Sequence, residues 1–131
     1  MIGLDTNVLV RYVAQDDPPQ ATAASRLIEG LTAESPGFIS TVALVETVWV
    51  LTRAYDTPKS MIEQIIEGFL RSRELVIESA ETHYLALAAF HATSVDYADA
   101  VIAVAGQRRG CEATVTFDRE AGRSLMRLLD A

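Results

Sequence analysis

Glu46 is the only charge in a stretch running from Val42-Ala43-Leu44-Val45 to Val48-Trp49-Val50-Leu51, whose pattern predicts a largely buried helix. An ionised carboxylate in such a setting costs several kcal/mol unless it is paired or metal-bound. Either Glu46 reaches one solvated stripe or an arginine, or it serves a site. Three more acids bear on the choice. Asp5 closes the apolar run Ile2-Gly3-Leu4, and Asp118 follows the apolar segment 113–117. In an open parallel sheet the carboxyl ends of strands line the crevice where ligands bind, so both acids are expected on one rim. Asp99 lies among small and apolar neighbours in Tyr97-Ala98-Asp99-Ala100-Val101-Ile102-Ala103-Val104. Asp96 precedes it by one turn on the same face, as a second ligand or as a helix N-cap.

Carboxylates gathered in one pocket repel, and either protons or a cation must relieve them. An all-oxygen donor set selects Mg²⁺ or Mn²⁺, whose remaining waters a phosphate can replace, which points to phosphoryl chemistry. Thr6, Asn7 and Thr116 flank the strand-end acids and could orient carboxylates or water, as well as serving as ordinary cap or turn residues. Other templates are missing: there is no G-x-S-x-G, no G-x-x-x-x-G-K-[ST] and no G-x-G-x-x-G after the first strand. His83 and His91 are read as a packed or half-exposed helix face, Asp16 and Asp17 as loop and cap, and Glu63 with Glu67 as a solvated face. The lone Cys111 excludes an internal disulfide and, with so few histidines, a thiolate zinc site.

The elements that must position these acids follow from patterning. The 131 residues, half of them apolar and 22% charged, suit one globular domain, 1–131. A strand at 2–4 leads to a helix over 7–13. Asp16-Asp17-Pro18-Pro19 opens a second helix to about Leu31. Phe38-Ile39 is a strand, Ser40 or Thr41 caps a helix over 42–55, and Thr57 with Pro58 at the first helical position opens another. A strand at 75–77, a helix from Ser79 as cap to His91, a helix over 96–107 and a strand over 113–117 complete the pattern. The end of the chain reads best as a short helix followed by an edge strand. Strands alternating with helices predict an α/β fold with parallel pairing. No apolar run is long enough to span a membrane, and no secretory signal precedes the first strand, so a cytoplasmic protein is expected. The net charge of −7 argues against a broad basic nucleic-acid surface but not against a local site where cations offset the acids.

Four segments in this order resemble PIN-domain ribonucleases, in particular the VapC-type toxins of toxin–antitoxin pairs. They are Ile2-Gly3-Leu4-Asp5-Thr6-Asn7, the Glu46 helix, Asp96-Tyr97-Ala98-Asp99-Ala100-Val101-Ile102-Ala103, and Thr114-Val115-Thr116-Phe117-Asp118. The resemblance implies a three-layer α/β/α fold with a central, mostly parallel sheet of four to five short strands flanked by helices. It places the family's acidic quartet on Asp5, Glu46, Asp99 and Asp118, as catalytic and metal-binding residues, with Thr116 as a nearby hydroxyl and Asp96 as an auxiliary acid. It implies an endoribonuclease using one or two Mg²⁺ or Mn²⁺ ions, with metal-activated water cutting the phosphodiester to leave a 5′-phosphate. It further implies a cognate VapB-type antitoxin whose arm fills the cleft, contact with DNA only through that antitoxin, and a homodimer joined by apolar helices around Trp49 or Phe69. Arginines suit phosphate better than lysines, so Arg11, Arg53, Arg108, Arg109 and Arg119 are candidates for holding RNA or for surface ion pairs.

The competing expectation is a receiver-like phosphoacceptor module, equally acidic and α/β, but its chemistry wants a lysine at the pocket and Lys59 opens a distant helix. A haloacid-dehalogenase-like phosphatase would need Asp-x-Asp, and Asn7 stands at the second position. A PIN-like module that binds without cutting would not need an intact quartet.

Overall fold

In the computed structural model, which describes residues 1–130, the chain divides into two compact units, Met1–Ala80 and Glu81–Ala131. In the first, strand β1 (Ile2–Gly3) is followed by helices α1 (Thr6–Ala14) and α2 (Pro18–Glu29), strand β2 (Gly37–Ile39), helices α3 (Thr41–Arg53) and α4 (Lys59–Arg71), and strand β3 (Leu75–Ile77). The strands pair in parallel with β2 central, Ile2 opposite Gly37 and Phe38 opposite Val76. Each parallel neighbour is reached through a pair of helices, as a crossover requires. Leu9, Ile39, Leu44 and Ile66 are fully buried and form the centre of this unit's core, with α1 packed on α2 and α3, and α4 on α3 and β3. Gly37 permits the packing: a Cβ there would stand 2.8 Å from Leu31 Cδ1 and 2.9 Å from Leu4 Cδ1.

Local signals explain most helix starts. Asp17 caps α2 by accepting from the Gln20 N–H at 3.2 Å, with prolines in the first turn, and Ser40 caps α3 by accepting from the Ala43 N–H at 3.1 Å. Two expected caps are corrected. Pro58, not Thr57, is the N-cap of α4, because its ψ of 149° leaves it extended and the helix begins at Lys59. Ser79 has a φ of 53°, a left-handed turn residue rather than the extended conformation of a cap.

The second unit holds helices α5 (Ala80–Ala92) and α6 (Tyr97–Arg108), strand β4 (Val115–Thr116), helix α7 (Arg119–Gly122) and strand β5 (Arg127–Leu128). The chain end is thus a short helix and a strand, as expected. β4 and β5 run parallel, Val115 opposite Arg127, with α7 packed on both. So short a crossover needs close approach: a Cβ on Gly122 would lie 3.0 Å from Leu128 Cβ. Tyr97, at 2% exposure, anchors the start of α6; its hydroxyl lies 2.7 Å from Nδ1 of the fully buried His83, and Phe90 meets its ring edge-on. Burial pushes the Tyr97 phenol well above its usual range.

The α/β class and the parallel pairing match expectation, with seven helices among the described residues. The expected single sheet does not appear as such: the five short strands hydrogen-bond as a group of three and a group of two. The expected strand over 113–117 contracts to two residues, too few for an extended ladder. No helix among the described residues is long and apolar enough to cross a membrane.

Candidate active site

Each unit carries one set of the expected acids. In the first, Leu4 continues the β1 ladder by donating its N–H to the Phe38 carbonyl at 2.9 Å, and the chain then turns directly into α1. Asp5 occupies that turn as N-cap, its Oδ1 accepting the Thr6 N–H at 2.7 Å. The cap leaves the second carboxylate oxygen for another donor or an ion. Thr6 Oγ1 donates to Glu46 Oε1 at 2.5 Å, which fixes the glutamate carboxylate against the start of α1. The hydroxyl expected to orient a carboxylate does so here.

Glu46 is not buried. It shares an exposed stripe of α3 with Val42, 71% exposed, Trp49, 58% exposed, and Arg53. Of the alternatives left open by the sequence, Glu46 takes the solvated stripe: Leu44, Val48 and Leu51 turn inward, and the helix leaves Glu46 in water despite its apolar neighbours. A concavity of about 480 Å³ is lined by Asp5, Thr6, Asn7, Arg11, Glu46, Trp49 and Tyr55. In its wall the Arg11 guanidinium is tied down by Gln20 Oε1 at 2.8 Å, the Tyr55 hydroxyl at 2.9 Å and Asp16 Oδ1 at 3.3 Å. Tyr55 donates in turn to Asp16 Oδ2 at 2.7 Å, and that hydrogen bond, ahead of the charge on Arg11, holds Asp16 below the usual carboxylate range. Asp16, read from sequence as a loop residue, is thus a partner of Arg11. Sequence reasoning gave Tyr55 no role, and nothing local marked it. Trp49 was expected at a dimer contact, although its place one turn after Glu46 already put both on one stripe.

In the second unit Asp96 is the N-cap of α6, its Oδ1 accepting the Asp99 N–H at 2.9 Å. Asp99 is half-buried in the first turn. Burial first, then repulsion by Asp96 and Asp118 and a hydrogen bond from Asp96, hold its carboxyl above the usual range. These acids therefore sense one another. Asp118 caps α7, with Oδ1 accepting from the Glu120 N–H at 2.8 Å and the Ala121 N–H at 3.4 Å. Thr116 Oγ1 accepts the Asp118 N–H at 3.0 Å and so braces the turn after β4.

Among the described residues, no three His, Cys, Asp or Glu side chains form a ready-made metal cluster. Each set is all oxygen and reached by solvent, chemistry that suits a hard dication held partly through water. The remaining arginines divide. Arg108 is committed to α5, through Glu81 at 2.7 Å and Thr82 at 2.9 Å, whereas Arg53, Arg109 and Arg119 are exposed. Phe69 is buried and has little surface to offer a second copy.

No curated protein matches this chain. PIN domains are generally nucleases. The profile of the PIN domain matches residues 2–123, nearly the whole length, and the chain belongs to the PIN domain family.

Proposed function

We propose that this PIN domain is a Mg²⁺- or Mn²⁺-dependent endoribonuclease that uses Asp5, Glu46, Asp99 and Asp118 as its metal-binding and catalytic acids. The feature that carries the reading is the place of Asp99 in the first turn of α6, capped by Asp96, where Asp96 and Asp118 repel its charge and a bound dication would relieve it. When bound, the ion supplies an activated water and offsets the charge that builds on the phosphate. Thr6 keeps Glu46 oriented toward the Asp5 turn. Asp99, whose negative charge is disfavoured in the metal-free fold, is the acid that a bound cation would relieve most. In the hydrolysis, water would add to phosphorus and give its proton to solvent while the P–O3′ bond breaks and the 3′ oxygen takes a proton from solvent, leaving a 5′-phosphate and a 3′-hydroxyl. Arg11, immobilised by Tyr55 and Gln20, offers a fixed cation to an adjacent phosphate.

The receiver-like alternative lacks support: the chain is a PIN domain, and its one lysine, Lys59, begins α4. The toxin role, with a VapB-type antitoxin, a homodimer and work in the cytoplasm, rests on the motif resemblance. A neighbouring reading frame encoding a small antitoxin with a DNA-binding N-terminal part is expected, and its absence would remove that role without touching the nuclease. The nuclease is tested by incubating the protein with total RNA and Mg²⁺ and mapping new 5′ ends. Cleavage that persists in EDTA, or in Glu46→Gln, would refute the assignment.

A further inference from the structure

The chain has a single tryptophan, and it is left 58% exposed on the stripe of α3 that carries Glu46. Its ring lines the same concavity as Asp5, Glu46 and Arg11. An indole in water one turn from a polar cluster has no role in the core, where Leu44, Val48 and Leu51 from the same helix are already buried. We propose that Trp49 is a stacking platform for an unpaired nucleobase of single-stranded RNA, seating one nucleotide beside the Asp5 and Glu46 carboxylates. The inference deepens the nuclease reading and rests on it.

Three features favour a nucleotide over a second copy of the chain. The concavity, about 480 Å³, falls within the roughly 300–1,000 Å³ of small-ligand sites. Its wall mixes an aromatic face with a guanidinium that Gln20, Asp16 and Tyr55 hold in place, the combination that binds a base and its phosphate together. Asp5, Glu46 and Arg11 line the concavity together with the ring, whereas the centre of a protein–protein interface is depleted of charge. Stacking tolerates any base, since each has a π face, so the platform recognises single-strandedness rather than sequence. Duplex RNA, whose bases are already stacked, is disfavoured.

Because Trp49 is the only tryptophan, its fluorescence reports on this position alone. The full chain, with Ca²⁺ in place of Mg²⁺, is titrated with a short oligouridylate, an abasic strand of the same length and a duplex. Saturable quenching by oligouridylate, and far less by the other two, is expected. Anisotropy of a labelled oligouridylate should show Trp49→Ala weakening binding about tenfold, the scale of one lost base–aromatic stack, while Trp49→Phe retains most of it. Equal binding of the abasic strand, or unchanged affinity in Trp49→Ala, would overturn the platform. So would emission that shifts with protein concentration alone, which would mean that a second copy covers the ring. Wild-type cleavage with Mg²⁺ alongside any of those results leaves the nuclease standing. Quenching without cleavage removes the nuclease and keeps the platform.

Discussion

Asp96 has two separable duties, and substitution can part them. Its Oδ1 accepts the Asp99 N–H at 2.9 Å and starts α6, while its charge helps hold the Asp99 carboxyl above the usual range. Asp96→Ala removes both. Loss of an N-cap costs about 1 kcal/mol, which for a chain of this size lowers the melting temperature by about 4 °C. Asp96→Ser keeps a cap oxygen, and the backbone at φ −75° and ψ 168° accepts serine unchanged. It gives up the favourable meeting of a carboxylate with the helix N-terminus and gains relief for Asp99, so its stability at neutral pH should lie within about 0.5 kcal/mol of wild type. The pH dependence then identifies the charge. A carboxyl raised in the fold is protonated there at a pH where the unfolded chain has released its proton. The contribution of Asp99 to stability is therefore fully present below the ordinary carboxylate range and is lost as pH rises through the raised value. Burial, the first cause of the shift, persists in Asp96→Ser, but the repulsion by Asp96 does not. Denaturant melts across mildly acidic to neutral pH without metal should show a shallower decline for Asp96→Ser than for wild type. Identical declines, or an Asp96→Ala as stable as wild type, would refute the two-duty account.

Asp5→Asn and Glu46→Gln should each abolish Mg²⁺-dependent RNA cleavage while the metal-free melting temperature stays within about 4 °C of wild type; retained cleavage would remove that residue from the catalytic set. Millimolar Mg²⁺ or Mn²⁺ should raise the melting temperature, by about 2.7 kcal/mol of added stability at a hundredfold excess over Kd, and the gain should vanish in Asp99→Asn. A melting curve blind to both metals counts against the shared ion. Tyr97→Phe removes the hydroxyl that faces Nδ1 of buried His83 and should cost about 1–3 kcal/mol in a urea melt. Gly37→Ala should destabilise by a similar amount, because its new Cβ meets the Leu31 and Leu4 methyls; a neutral result would mean those side chains turn aside freely.

What could be read in the sequence was mostly what is decided locally. Asp17 before two prolines, Ser40 before an apolar helix and Asp96 before Tyr97 each place a cap, because the bond spans only a few residues of one chain segment. Thr57 and Ser79 misled for the same reason: both are cap-forming types, but whether a residue is extended or left-handed depends on how the chain enters from the preceding element. The exposure of Glu46 was hidden from local pattern. α3 is apolar on nearly every side, so which stripe meets water is chosen by α1 and α4 packing on the others. The division of the strands into two hydrogen-bonded groups was hidden too, because strands of two or three residues look alike whatever they pair with.

The caps also explain how a protein can keep a set of like charges without an ion to hold them. Asp5, Asp96 and Asp118 each sit at a helix start and give one oxygen to backbone N–H groups that would otherwise have no partner in the helix. For the α1 and α6 acids the helix dipole adds a favourable charge interaction of about 0.3–1 kcal/mol. The fold thus stabilises three exposed carboxylates by backbone geometry. Asp99 has no such cap, lies deeper than its neighbours and is the acid whose charge the fold disfavours. A bound cation would accordingly do most for Asp99, and loss of the metal's stabilising effect should be greatest when Asp99 is neutralised and smaller when Asp96 is. The reverse order would place the ion at the cap rather than in the first turn of α6.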